Sequence, residues 1–211
     1  MYVPAHFEAE NAEALIARLA PRFAAVLVSV DAKGQPHATH MPILWDSARR
    51  TLSGHIARAN PQHKLGPGRA LVILSGPEAY VSPSFYPSKA EHGKTVPTWN
   101  YEAVHFSGVV EWFDDAGRLE AVVRALSEFH ECGRSAPWSI GDAPRPYIDA
   151  MLRGIVGVTV TADRVEAKRK LSQNKSAADF AGVVAGLCAE APEIAALMRE
   201  TRAAADDPDG N

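Results

Sequence analysis

The sequence predicts a mainly β protein of the α+β class, an antiparallel barrel with helices packed outside it. Three observations support this. Several β-rich runs separated by short turns come first, helical patterns come as insertions, and no regular strand–helix–strand alternation occurs. Of the 211 residues, 46% are hydrophobic and 22% charged, which is ordinary globular usage and excludes a disordered or coiled-coil chain.

Six strands are predicted from short apolar or β-branched runs bounded by turn residues. They cover residues 24–31, 36–46, 51–58, 69–75, 104–113 and 154–161. Lys33-Gly34-Gln35 predicts the turn after the first strand. Gly76-Pro77 is expected to end the fourth strand, and the proline-punctuated stretch 83–97 to form a loop.

Three helices are predicted from apolar residues at helical spacing. The first covers residues 8–19 and ends before Pro21. The second opens at Asp114-Asp115 and precedes a loop at residues 133–146, and the third begins near Ser176, where a capping box is recognisable. Their apolar faces are expected to comprise Leu15, Ile16 and Leu19; Leu119, Val122, Val123, Leu126 and Phe129; and Phe180, Val183, Val184 and Leu187.

One domain is expected over residues 1–205, followed by a disordered tail over residues 206–211, because no repeat and no interdomain linker is found. The net charge of −3 gives no general attraction to nucleic acid or anionic lipid. Two isolated cysteines, Cys132 and Cys188, indicate a reducing, cytoplasmic location. No signal peptide is recognisable, and the longest apolar run, 24–30, is too short for a membrane span.

The eight histidines raise the question of a metal site. His37 and His40 are three residues apart in a predicted strand, where their side chains point to opposite faces. His130 and Cys132 are two residues apart at a helix end and do not face each other. We therefore expect no metal site.

The most informative segment covers residues 53–64, Ser-Gly-His-Ile-Ala-Arg-Ala-Asn-Pro-Gln-His-Lys. It ends a strand, turns at Asn-Pro and enters a helical turn. This short stretch brings together five polar side chains, those of His55, Arg58, Asn60, His63 and Lys64. Backbone N–H groups at a helix start, together with Arg and Lys, predict an anion site. The alternative is a polar strand end with ordinary surface charges.

Three further segments contain residues that suit a ligand. Residues 79–89 and 96–101 mix aromatic residues with prolines, which indicates either a pocket for a planar ligand or aromatic anchoring of loops. Residues 168–176 hold the dense basic cluster, either a solvated face or a site for one phosphate. Within it, Gln173 and Asn174 offer amide groups for a heterocycle edge, or Asn174 and Ser176 cap the next helix.

Taken together, these segments resemble a known family. Ordered blocks occur at residues 1–7, 54–62, 81–89, 96–101, 104–105, 153–157 and 170–176. Over nearly its whole length the sequence resembles the PaiB family of FMN-binding negative transcriptional regulators. The resemblance implies an FMN-binding split β-barrel with peripheral helices, related to pyridoxamine-phosphate oxidases, and a homodimer with FMN between its subunits.

The resemblance also implies roles at matched positions. The segment 58–64 is expected to hold the FMN phosphate, with His55 nearby. Thr39, His40, Met41 and Pro42 are expected to run beside the isoalloxazine, partly through backbone groups. Tyr80 and Trp99 are expected to line the pocket, and Gln173 and Asn174 to meet the ring or the ribityl chain.

Several functions stay open. The first is a flavin-binding regulator or sensor, for which DNA is implied as a partner by resemblance alone. The second is an FMN-dependent oxidoreductase that uses NAD(P)H, although no acid–base pair identifies a catalytic residue. The third is a flavin-free interaction dimer, and a related possibility is a haem protein with a histidine as axial ligand.

Overall fold

The computed structural model describes residues 1–206. The strands are β1 (Ala25–Val30), β2 (Pro36–Met41), β3 (Leu44–Asp46), β4 (Thr51–Ala57), β5 (Gly68–Val81), β6 (Thr98–Phe113) and β7 (Ile155–Lys170). The helices are α1 (Ala12–Leu19), α2 (Ser88–His92), α3 (Ala116–Glu131), α4 (Arg145–Arg153), α5 (Ala177–Glu190) and α6 (Pro192–Asp206). Short 3₁₀ turns cover Ala5–Phe7, Pro61–Leu65, Pro83–Phe85 and Ile140–Asp142.

The strands form one seven-stranded sheet in the order β2-β1-β5-β6-β7-β4-β3. Strand β1 pairs antiparallel with β2 and β5, and β4 pairs antiparallel with β3 and β7. In the β4–β7 register, His55 lies opposite Gly157. A sheet of this kind with helices inserted between its strands confirms the predicted α+β class.

The chain divides into two compact units. Unit 1 comprises Met1–Glu10, Ser75–Ala103 and the chain from Ala167, and unit 2 comprises Asn11–Leu74 and Val104–Glu166. Each has its own apolar cluster, because an amphipathic helix must bury its apolar face. In unit 1 the cluster includes Val81, Leu171, Phe180, Val183, Leu187, Ile194 and Met198. In unit 2 a cluster on α3 and α4 includes Leu119, Ile140, Ile148 and Leu152.

Three strands are much longer than the sequence predicted. Strand β5 does not end at Gly76-Pro77 but continues to Val81, so that expectation was wrong. A proline inside a strand costs a ladder hydrogen bond only where a neighbour would accept it. Pairing of β1 with β5 runs no further than Ile73, so Pro77 lies beyond it. Likewise β6 begins at Thr98 and β7 continues to Lys170.

Other differences concern breaks and helix ends. The predicted strand 36–46 is interrupted at Pro42-Ile43 and forms β2 and β3. Helix α1 begins at Ala12, because Asn11 accepts a hydrogen bond from the Ala14 amide and caps it. The short helices α2 and α4 and the separate helix α6 were not predicted. Phe129, expected on the apolar face of α3, is 37% exposed.

The predicted tail over residues 206–211 lies outside the described residues, apart from Asp206 at the end of α6. Among residues 1–206, no helix is both long and apolar enough to cross a membrane.

Candidate functional site

The residues predicted to bind a ligand fall into two groups, one in each unit. Unit 2 holds Thr39, His40, Met41, His55, Arg58, Asn60, His63 and Lys64. Unit 1 holds Tyr80, Trp99, Gln173 and Asn174. In unit 2, strand β2 contacts both β4 and the turn Pro61–Leu65, so these three elements form one neighbourhood.

A network of side-chain amides fastens the turn Pro61–Leu65 to β2. The Asn60 side chain accepts a 3.0 Å hydrogen bond from the Gln62 backbone N–H and donates a 2.7 Å bond to Thr39 Oγ1. The Thr39 hydroxyl in turn donates to Gln62 Oε1. Thr39 and Asn60 therefore hold the turn in place. The first backbone N–H of the turn, that of Gln62, already donates to Asn60 and is not available to a ligand.

Gln62 is a residue that the sequence analysis missed. Its side chain is only 2% exposed. Its Nε2 lies within hydrogen-bonding distance of the Leu27 carbonyl (3.2 Å), Ser29 Oγ (3.0 Å) and the His37 carbonyl (3.2 Å). Glutamine is mostly a surface residue, so only its place directly after Asn-Pro could have marked it. It connects the turn to β1 and β2.

The Arg58 guanidinium is anchored on one edge by backbone carbonyls. Its Nε donates to the Arg153 carbonyl at 2.8 Å and its Nη2 to the Ile155 carbonyl at 3.0 Å. Arg153 is the last residue of α4, so Arg58 satisfies a carbonyl at that helix end. The opposite edge, which carries Nη1, lies 3.8 Å from a carboxylate oxygen of Asp114. A guanidinium has five N–H donors, so this edge keeps donors for another anion.

The other basic side chains of the segment, His63 and Lys64, differ in whether they already have partners within the protein. His63 Nδ1 lies 2.7 Å from the Asn60 carbonyl and so donates to it. The His63 ring also meets Trp112 edge to face, with ring centroids 6.5 Å apart. Lys64 is exposed and takes part in no hydrogen bond or ion pair with any described residue. The Lys64 ammonium is therefore available to a ligand.

His55 is half-buried on β4, and its Nδ1 has no hydrogen-bond partner among the described residues. Burial lowers the pKa of His55, so the neutral ring is favoured near pH 7. An unpaired buried ring nitrogen is unusual, because its desolvation is not compensated. His55 thus keeps one unused hydrogen-bonding position on β4, three residues before Arg58.

His40 and Met41 are the last two residues of β2, and they differ in exposure. His40 is exposed, whereas Met41 is 4% exposed. A Cβ added at Gly54 would overlap the Met41 methyl group, so Met41 packs directly over Gly54. The Met41 side chain is part of the core, which leaves only its backbone to run beside a ligand.

In unit 1, two aromatic side chains lie together on the surface. Tyr80 and Trp99 meet nearly perpendicular, with centroids 6.0 Å apart, and are 47% and 50% exposed. Lys170 Nζ donates to Thr98 Oγ1 at 2.6 Å and to the Trp99 carbonyl. Half of each ring is therefore open to a planar ligand or to another protein surface.

The Gln173 amide folds back on its own strand. Its Oε1 accepts from the Leu171 N–H at 2.7 Å and its Nε2 donates to the Arg169 carbonyl at 2.6 Å. Between them Ser172 adopts a positive φ of 64°. Gln173 thus shapes this tight turn, and Asn174 remains exposed beside it.

The basic run Lys168-Arg169-Lys170 is not a solvated face. Lys168 Nζ donates to the Tyr2 carbonyl at 3.0 Å, and Arg169 pairs with the buried Glu102 at 2.7 Å. Burial and the cations of Lys168 and Lys175 lower the pKa of Lys170. These cations stabilise the fold of unit 1, so the run is a poor candidate for a phosphate or nucleic-acid surface.

No group of three His, Cys, Asp or Glu side chains within residues 1–206 is arranged to hold a metal ion.

Sequence comparison assigns the chain to a family. Residues 1–164 match the family described as "Putative FMN-binding domain". Over 208 residues, 95% of this chain and 97% of the relative, the sequence is 30% identical to "Protease synthase and sporulation protein PAI 2" of Bacillus subtilis. An uncharacterised protein of Aspergillus fumigatus is 35% identical over 170 residues, 64% of this chain and 65% of that protein.

Solved structures show the same fold at low identity. A conserved hypothetical protein from Mycobacterium tuberculosis superimposes with a TM-score of 0.56 and 18% identity, covering 82% of this chain and 92% of that chain. The FAD and heme binding protein from Mycobacterium smegmatis gives 0.57 and 15% identity, covering 82% and 78%. These likenesses confirm the predicted split-barrel fold. The chain belongs to the FMN-binding domain family that also includes the PAI 2 protein, as its PaiB resemblance predicted, and the cofactor of that family is FMN.

Proposed function

We propose that this protein is a flavin-binding regulator that acts as a homodimer and holds the FMN phosphate at residues 58–64, hereafter the phosphate segment. The observation that carries the proposal is the Arg58 guanidinium, which two backbone carbonyls hold on one edge, while Nη1 on the other edge faces the exposed Asp114 carboxylate at 3.8 Å, too far for a hydrogen bond. A guanidinium oriented in this way loses little side-chain entropy when it binds an anion.

The residues of the phosphate segment fit a phosphate group. At pH 7 a phosphate monoester carries about −1.5 to −2 charge and three acceptor oxygens. Arg58 and the exposed Lys64 supply two cations within seven residues, and His55 has an unused ring nitrogen. When bound, FMN supplies a coloured group that accepts one or two electrons.

In the proposed homodimer, the exposed Tyr80–Trp99 pair of one protomer covers the flavin that the other protomer binds. Half-exposed aromatic rings are typical of surfaces that a ligand or a partner buries. We place the protein in a reducing compartment, the cytoplasm, because Cys132 and Cys188 are both free and exposed.

Titration with FMN and with riboflavin, followed by flavin fluorescence, tests the phosphate segment. Lys64→Gln is expected to weaken FMN binding about ten-fold, the value of one charge-assisted hydrogen bond. Riboflavin binding should not change, because riboflavin has no phosphate. Lys33→Gln, in the exposed turn after β1, is the matched control. An unchanged FMN affinity for Lys64→Gln would remove Lys64 from the site.

Two further measurements test the dimer and the regulatory role. Light scattering at micromolar concentration with saturating FMN should give twice the mass of the chain, and a monomer mass would contradict the dimer. A regulator should bind a DNA or protein partner differently with and without FMN. Sustained NAD(P)H oxidation by the FMN-loaded protein would instead indicate an oxidoreductase.

A further inference from the structure

A carboxylate lies at the edge of Arg58 that the flavin phosphate would use. Asp114 Oδ2 is 3.8 Å from Arg58 Nη1, and the side chains are 75% and 43% exposed. The other edge of Arg58 is occupied by the Arg153 and Ile155 carbonyls. An incoming phosphate therefore meets Arg58 on the side where Asp114 lies.

The backbone on both sides of Asp114 is fixed. Phe113, the last residue of β6, packs so closely on Gly157 that a Cβ there would overlap its ring. The Arg118 guanidinium lies 3.8 Å from the centre of the Phe113 ring. On the other side, the Asp115 carboxylate accepts a 2.8 Å hydrogen bond from the Arg118 N–H and caps α3. Asp114 can turn its side chain, but its Cα stays beside Arg58.

A carboxylate and a phosphate compete for a guanidinium by the same charge-assisted bonds. The exposed Arg58–Asp114 pair is weak at this distance, so a phosphate can displace Asp114 from Arg58. The displaced carboxylate still remains close to the phosphate and repels it. Both effects lower the affinity for a phosphorylated flavin and leave an uncharged flavin unaffected.

We propose that Asp114 is a specificity-determining residue that competes with the flavin phosphate for Arg58 and so limits the preference for FMN over riboflavin. The inference rests on the proposed function, because it needs a phosphate at Arg58. Asp114 opposes FMN binding, whereas Arg58 and Lys64 favour it.

The test is a titration of the full chain with FMN and riboflavin at low salt, for the wild type, Asp114→Asn, Arg58→Gln and the double variant. Asp114→Asn is expected to tighten FMN binding about two- to five-fold, the usual range for one exposed charge pair. It should leave riboflavin unchanged, and the gain should be smaller in the Arg58→Gln background, where only the repulsion between Asp114 and the phosphate is left to remove. Glu128→Gln makes the same change of net charge on the exposed last part of α3 and should have no effect.

Three results would overturn the inference while the proposed function stands. These are an equal gain for riboflavin, a gain that is as large without Arg58 as with it, and an equal gain in Glu128→Gln. Saturable FMN binding by Asp114→Asn alone, with none by the wild type, would support the inference. No saturable FMN binding by either protein would overturn the inference together with the proposed function.

Discussion

The Asn60 carboxamide donates a 2.7 Å hydrogen bond to the Thr39 hydroxyl, joining residues 21 positions apart. The bond ties the turn after β4 to strand β2, and Gln62 closes the same network from within the core. The position of the phosphate segment therefore depends on side-chain amides that fasten it to β2, one of them on the buried Gln62.

Gln62→Ala is expected to destabilise the protein by about 2–3 kcal/mol, because it leaves buried acceptors on β1 and β2 without their donor. Urea unfolding monitored by circular dichroism measures the change. Gln35→Ala, in the exposed turn before β2, should stay within about 0.5 kcal/mol of the wild type. If Gln62→Ala lowers the free energy of unfolding as little as Gln35→Ala does, the Gln62 network contributes nothing to stability.

Gly108→Ala is expected to lower stability by about 1–3 kcal/mol or more through overpacking. A Cβ at this position would overlap the backbone carbonyl of Thr161 on the neighbouring strand, which cannot rotate away. Gly68→Ala is the control, since its Cβ would enter open space. Thermal unfolding compares the two, and a Gly108→Ala protein as stable as Gly68→Ala would refute the close approach of β6 and β7.

Glu102→Gln is expected to cost about 3 kcal/mol, because Arg169 would keep its charge without its buried counter-ion. Chemical denaturation measures this loss. The comparison is Asp163→Asn, which breaks the exposed pair with Arg69 and should cost much less. If both substitutions have the same small effect, Arg169 does not depend on Glu102.

The half-buried His55 makes stability depend on pH. Its pKa is lowered by burial in the folded state, so below about pH 6.5 the unfolded chain binds a proton that the folded protein does not. The free energy of unfolding should therefore fall as the pH drops from 7.5 to 5.5, by at most about 1.4 kcal/mol per pH unit from this residue. His55→Gln should reduce this dependence, and His105, whose pKa burial also lowers, should account for part of what is left. Substitution of the exposed His92 should leave the dependence in place. An identical pH profile for wild type and His55→Gln would contradict the assignment.

Short-range patterns predicted much of the fold. The apolar stripe of α3 and the helix cap at Ser176 depend on residues three or four positions apart, and both are present. Of the predicted capping box, the structure shows the bond from the Asp179 N–H to Ser176, while the Asp179 carboxylate accepts from Ser88. The lengths of β5, β6 and β7 were underestimated, because polar residues such as Glu102 and Arg169 weaken a strand pattern. Only the pairing of the two side chains shows why a buried strand tolerates them.

The site was predicted in the same way, well where residues are adjacent and poorly where they are distant. The phosphate segment was identified from its own sequence, yet Asp114 and Gln62 were not assigned to it. Asp114 is 56 positions from Arg58 in sequence, counted from their residue numbers, and the sequence alone contains no sign that they pair. The basic run at residues 168–170 looked available for a phosphate, but its cations have partners within the protein.

The sequence by itself determined the α+β class and the segment where cationic side chains gather, because both depend on residue types at short spacing. It also determined the family and its cofactor, through the resemblance of several ordered blocks to that family. The tertiary structure decided which of those side chains are free. Arg58 is anchored on one edge, Lys64 is exposed, and Gln173 is turned back on its own strand. The physical reason is that polar groups that folding brings together form hydrogen bonds, and the partner of a side chain can lie far away in sequence, as Arg153 and Ile155 do for Arg58.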